Sequence, residues 1–86
     1  MKHTETADNN VIYIIVGKNI RKYRKQQGLK QAELAELCHL SEGFISDLES
    51  NTFRTISLNT LYLIAKKLNV HIKQLFDDLE EDRSNK

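Results

Sequence analysis

The sequence predicts an all-α domain of five short helices, and three observations carry that prediction. Apolar residues recur at three- and four-residue spacing along most of the chain. No proline occurs among the 86 residues, so only short connections break the helices. Glycine, serine and asparagine stand where helices should begin or end. The resulting helices span about 11–27, 31–38, 42–50, 58–68 and 72–79, in one domain at 11–80 between an expected disordered tail at 1–10 and a polar tail at 81–86. The rest is organised around Gln31 to Asn51, where two apolar helical periods (Ala32, Leu34, Ala35, Cys38, then Phe44, Ile45, Leu48) are separated by a break too short for a loop.

Residues 1 to 10 are polar and aperiodic. Val11 to Val16 is β-branched enough to read as a strand, yet Asn10 is a good N-cap, and Ile12, Val16, Ile20 and Tyr23 continue at helical spacing. One helix ending at Gln27 is therefore expected. Gly28 suits the left-handed residue that terminates it, with Leu29 packing back onto the last turn. The second helix starts without a good side-chain cap, because Lys30 offers no acceptor where Ser or Thr would contribute about 1 kcal/mol.

His39-Leu40 form the turn, and Ser41 caps the third helix, with Glu42 in the first turn favoured by the helix dipole. Gly43 costs that helix roughly 1 kcal/mol relative to Ala, a flaw unless a partner approaches closely there. Asn51 fits a left-handed terminating position. Ser57 caps the fourth helix, whose stripe is Leu58, Leu61, Ile64, Ala65 and Leu68, and Asn69 ends it. Ile72, Leu75, Phe76 and Leu79 form the stripe of the fifth helix.

A chain this short has a thin core and often leans on disulfides, metals or a partner subunit. The single Cys38 excludes an intramolecular disulfide, and the histidines at 3, 39 and 71 have no zinc spacing, so oligomerisation remains. The longest apolar run, Val11 to Val16, is six residues, far short of a membrane span. A cytoplasmic chain with no cofactor, no metal and no small-molecule ligand is expected. The net charge of +1 hides segregated blocks: six basic residues and no acid from Lys18 to Lys30, five acids and no Lys or Arg from Glu33 to Glu49, and five more acids from Asp77 to Asp82.

Laid out as IRKYRKQQGLKQAELAELCHLSEGFISDLESN followed by SLNTLYLIAKKLNV, the chain resembles the helix-turn-helix family of phage repressors, Cro and XRE-type bacterial regulators. The resemblance runs from about Val16 to Phe76. It rests on the basic helix, Gly28-Leu29, Gln31, Glu33-Leu34-Ala35, Ile45-Ser46, Leu48-Glu49 and Leu61 to Leu68 in order. Two positions depart from the pattern: His39 where Gly is usual, tolerable because His is enriched at positive φ, and Lys30 where Ser or Thr is usual. The segment from Arg54 through Ile56-Ser57-Leu58 also resembles the small controller proteins of restriction-modification systems, which dimerise through their last helices.

The resemblance implies a dimeric, sequence-specific regulator of double-stranded DNA, with no catalysis and the third helix in the major groove. In such docking the N-terminal residues of that helix reach base edges, which selects Ser41, Glu42, Gly43, Ser46 and Asp47. Glu42 could instead merely complement the dipole, and Asp47 be simply solvated. Lys30, Gln31, Asn51 and Arg54 flank the helix as phosphate contacts that fix register, and the start of the second helix is itself an anion site. Matching residues pair in phage repressors, so the resemblance implies a partly buried ion pair between Arg24 and Glu49 that joins the first helix to the end of the third. Two apolar surpluses, at Val11 to Val16 and at Tyr62, Val70, Ile72, Phe76 and Leu79, suggest a homodimer, the C-terminal surface first. The alternative class is a protein-interaction module, such as an antirepressor or antitoxin-like partner, whose acidic third helix contacts a basic protein.

Overall fold

Neither proline nor glycine occurs between positions 2 and 16, so nothing in the backbone chemistry stops a helix from running through this stretch. In the computed structural model, which describes residues 2–50 and 54–77 with side chains from Val11 onward, α1 spans Lys2–Gln26. The helix thus covers positions 2–10, left outside it by the sequence reading, and Asn10 lies within it rather than at its cap. Val11 to Val16 is helical, not a strand.

Three further α-helices follow: α2 at Gln31–Cys38, α3 at Glu42–Glu49 and α4 at Leu58–Lys67. The expected fifth helix is instead a 3-10 helix at Ile72–Phe76, after which Asp77 is extended (φ −65, ψ 133). The segment is anchored on α1. The fully buried Asn19 amide donates to the carbonyls of Leu75 (2.9 Å) and Asp77 (2.6 Å), and so ties the end of this segment to α1. Leu79 lies outside the described residues.

The same terminator closes α1, α2 and α4. Gly28 (φ 73), His39 (φ 58) and Asn69 (φ 65) adopt the left-handed conformation. At each, the next residue's N–H bonds five residues back: Leu29 to Arg24, Leu40 to Ala35 and Val70 to Ala65, at 2.8–3.1 Å. At the other ends, the Ser41 and Ser57 hydroxyls accept from the N–H groups of Phe44 and Thr60, both at 3.0 Å. The missing cap at Lys30 is partly made good by Glu33, whose carboxylate accepts from the Lys30 N–H at 2.7 Å. This is the carboxylate half of a capping box, since a lysine side chain has no acceptor to complete it.

Packing follows the apolar periods. Val16, Ile20 and Tyr23 of α1, Leu34, Ala35 and Cys38 of α2, and Ile45 and Leu48 of α3 meet beneath Leu61, Ile64, Ala65 and Leu68 of α4, with Leu75 closing the core. α1 packs on α3 and on the 3-10 helix, while α2 packs on α3 and α4. Leu58, expected in the α4 stripe, is 70% exposed because it opens the helix one turn before the buried face begins. Gly17 lets α1 approach the end of α3: a Cβ built on it would lie 1.8 Å from the Leu48 carbonyl oxygen. No helix among the described residues is long and apolar enough to cross a membrane.

Candidate nucleic-acid interface

A short helix presents a fixed set of side chains only if its roll and tilt are fixed, and α3, at eight residues, cannot supply that by itself. A buried polar network does so. The Arg24 Nε and Nη2 atoms donate to Glu49 Oε2 and Oε1 at 2.7 and 2.8 Å, a bidentate pair in which both residues are buried. Arg24 Nη1 donates to the Leu29 carbonyl at 2.7 Å, and Gln31 Nε2 to Glu49 Oε1 at 3.0 Å. The guanidinium therefore ties α1 to the turn after it and to the end of α3, and the Glu49 carboxylate extends the network to the start of α2. The hydrogen bond to Glu49 holds Arg24 above its ordinary pKa, against the opposing effect of burial.

The left-handed His39 then turns the chain so that α3 starts at the surface. Ser41, Glu42 and Gly43 are exposed, and Ser46 and Asp47 are half-buried on the same helix. Nothing lies within 4 Å of where a Gly43 Cβ would be, so its missing side chain leaves open space facing outward. Phe44, expected inward, is only half-buried, with its ring capped by the Arg54 guanidinium at 4.6 Å.

Arg54 does more than cap that ring. Its Nη1 donates to Asp47 Oδ2 at 2.8 Å, so a residue expected on phosphate and one expected on a base hold each other. As an exposed pair this contributes about 0–1 kcal/mol to stability, and the ring contact about 0.5–1 kcal/mol. Its larger consequence is electrostatic. Of the three acids on α3, Glu49 is neutralised by Arg24 and Asp47 by Arg54, leaving Glu42, which sits at the positive end of the helix dipole. An acid-rich sequence thus folds into a helix with most of its acidity compensated.

Around this face, Lys30 and the first turn of α2 are exposed or half-exposed, with the Gln31 side chain partly committed to Glu49. Asn51 lies outside the described residues. On α4 and the C-terminal segment, Tyr62 is 53% and Phe76 39% exposed, and Val70 and Ile72 are half-buried. A groove of about 380 Å³ there is lined by Tyr62, Lys66, Val70, His71, Ile72 and Lys73. No group of three or more His, Cys, Asp or Glu suited to a metal ion occurs among the described residues.

Sequence reasoning passed over two residues on which the site depends, and the capping role of a third. Gly17 and Asn19 look like interruptions of an apolar helix, yet one admits the end of α3 and the other anchors the C-terminal segment. Glu33 three residues after Lys30 was the available signal for a cap, since that spacing lets a carboxylate reach back to the N-cap N–H.

Two helices joined by a left-handed turn, the second offering its N-terminal half outward from a buried anchor, define a helix-turn-helix protein. A sequence model of the family described as helix-turn-helix matches residues 20–75, and the chain belongs to this family. It is 36% identical over 61 residues to the control protein C.SmaI of Serratia marcescens, covering 71% of each chain. It is 30% identical over 67 residues to the transcriptional regulator SinR of Bacillus subtilis, covering 78% of this chain and 60% of that one. A crystal structure of SinR in complex with DNA superposes with a TM-score of 0.68 at 31% identity, over 72% of this chain and 98% of that one. The hypothetical transcription factor NHTF from Neisseria superposes with a TM-score of 0.77 at 27% identity, over 87% of this chain and 85% of that one. These relatives are regulators and not enzymes, in keeping with the absence of catalysis expected from the sequence.

Proposed function

We propose that this chain is a cytoplasmic, sequence-specific transcription regulator that binds double-stranded DNA. It acts as a homodimer on a palindromic operator, with α3 of each protomer in the major groove. The observation that carries this reading is the outward N-terminal half of α3, on a helix anchored from behind by the Arg24–Glu49 pair and with two of its three acids in ion pairs. The family, the similarity to C.SmaI and the complex of SinR with DNA support it.

In this docking Ser41, Glu42, Gly43 and Ser46 meet base edges, and Asp47 and Arg54 enter as one unit. Serine reads either class of base, and Glu42 can accept from a cytosine amino group. Lys30, Asn51 and the N–H groups opening α2 hold phosphates on either side, which sets register without reading sequence. Gln31 has one amide hydrogen on Glu49 and a second left for phosphate. Tyr62, Val70, Ile72 and Phe76, with Leu79, form the dimer surface.

The test is a titration of random duplex DNA at rising salt, followed by sequencing of fragments captured from sheared genomic DNA. Binding that weakens steeply with salt is expected, because several phosphates would release counterions, together with enrichment of one imperfect palindrome. Absence of any duplex binding at low salt would overturn the reading in favour of a protein-interaction module. The pairing of Asp47 with Arg54 and of Glu49 with Arg24 counts against that alternative, since it engages two of the acids such a module would offer to a basic partner.

A further inference from the structure

An arginine on a connection between helices would be expected to point into solvent, free to settle on whichever phosphate comes near. Arg54 does not. Its guanidinium carbon lies 4.6 Å from the centre of the Phe44 ring, and its Nη1 is 2.8 Å from Asp47 Oδ2. Phe44 and Asp47 are three residues apart on α3, so they form adjacent points of one helical face. That face adjoins Gly43, which leaves open space on the outer side of the helix. The Arg54 and Asp47 side chains nevertheless stay 44% and 43% exposed, so the pair is presented and not sealed.

We infer that Arg54 is the base-reading group at this end of α3: seated on Phe44 and held by Asp47, it offers its guanidinium fork to a guanine, and Asp47 is its positioning residue. The inference rests on the DNA-binding reading above and deepens it.

The chemistry decides between the two partners. A carboxylate already accepting a charge-assisted hydrogen bond is a weaker acceptor for a cytosine amino group, and it brings negative charge toward phosphates. A guanidinium carries five N–H donors and spends one of them on Asp47. The remaining edge matches the paired N7 and O6 acceptors of guanine in the major groove, the commonest specific contact an arginine makes there. Pinning the side chain in advance also removes rotamer freedom that it would otherwise lose on binding. A phosphate contact needs neither the ring nor the carboxylate.

The experiment selects bound sequences from a random duplex pool with the full chain and with Arg54→Lys, Arg54→Ala, Asp47→Ala and the double variant Arg54→Ala/Asp47→Ala. Circular dichroism confirms that each variant remains folded. The expected result is one guanine per half-site whose preference falls roughly ten- to a hundredfold in Arg54→Lys, with the other positions unchanged. Asp47→Ala should relax that same position, and the double variant should lose no more than Arg54→Ala alone. Replacing that guanine by 7-deazaguanine, which lacks the N7 acceptor, should weaken the unaltered chain about tenfold and leave Arg54→Lys little changed. If Arg54→Lys weakens every duplex alike with base preference intact, or Asp47→Ala relaxes a different base pair, the inference is overturned while the DNA-binding reading stands. If the unaltered chain binds no duplex, both fall.

Discussion

Gly17 of α1 faces the carbonyl oxygen of Leu48 so closely that a Cβ there would lie 1.8 Å from it, inside any tolerable contact. Helix propensity alone says that Ala should replace Gly in mid-helix with a gain of about 1 kcal/mol. At Gly17 the clash is with backbone and cannot be relieved by a side-chain rotation, so α1 and α3 must separate. Overpacking of this kind costs about 1–3 kcal/mol. Gly17→Ala is therefore expected to lower the urea midpoint, whereas Gly43→Ala, which meets nothing within 4 Å, should raise it through a stability gain of up to about 1 kcal/mol. The two variants carry the same change in residue type, so opposite signs in one denaturation experiment isolate the close approach. Equal signs would contradict it.

These glycines mark the boundary of what periodicity reveals. The four apolar faces, the turn at His39 and the caps Ser41 and Ser57 were legible because each depends on neighbours within one helical turn. The Arg24 and Glu49 positions were legible through family resemblance. Three things were not. The start of α1 at Lys2 was hidden because polar, aperiodic residues give no amphipathic signal. The 3-10 form of Ile72–Phe76 carries no periodic signal of its own, and the segment is anchored by Asn19, more than fifty residues away in the chain. The pairing of Asp47 with Arg54 depends on the path of a connection whose composition fixes no geometry, so each was read separately and assigned a different DNA contact.

The Arg24–Glu49 pair should be costly to break from either side. Arg24→Met leaves a buried Glu49 with only the Gln31 amide, and stranding one partner of a buried pair costs about 3–5 kcal/mol. For a domain of this size that corresponds to a fall in melting temperature of more than about 10 °C. Thermal unfolding followed at 222 nm measures it. A variant that melts with the unaltered chain would mean that the pair has little hold on α3.

Cys38 provides a pH test of the core. Burial pushes its thiol up, and the Lys67 ammonium offsets part of the effect. Folding thus favours the protonated thiol: the stability linked to this site is complete below the unfolded thiol's pKa and is lost as pH rises through the higher folded value. The thiolate is the nucleophile, so a thiol reagent at pH 8 should label the native chain far more slowly than the denatured one. The native rate should climb with pH later than the rate in denaturant. Equal labelling rates in the two states would show that Cys38 is not sealed beneath α4.

The dimer prediction joins the apolar surface to the operator. Tyr62 and Phe76 leave large apolar areas in water, and Tyr62 shares a groove with half-buried Val70 and Ile72. A two-fold axis through this face would direct both α3 helices to the same side of a duplex, where they can enter successive major grooves about 10 base pairs, or roughly 34 Å, apart. Sedimentation at micromolar concentration should therefore give about twice the monomer mass, and cleavage protection should reveal two half-sites at that spacing. Ile72→Glu places a charge at the centre of the face without touching α3. It should produce a monomer that remains helical by circular dichroism, melts below the unaltered chain because Ile72 packs in part against the core, and protects no paired half-sites at concentrations where the unaltered chain does. If Ile72→Glu stays dimeric, the axis lies elsewhere, and the other apolar surplus, exposed Val11 and Ile12 on α1, becomes the surface to alter next.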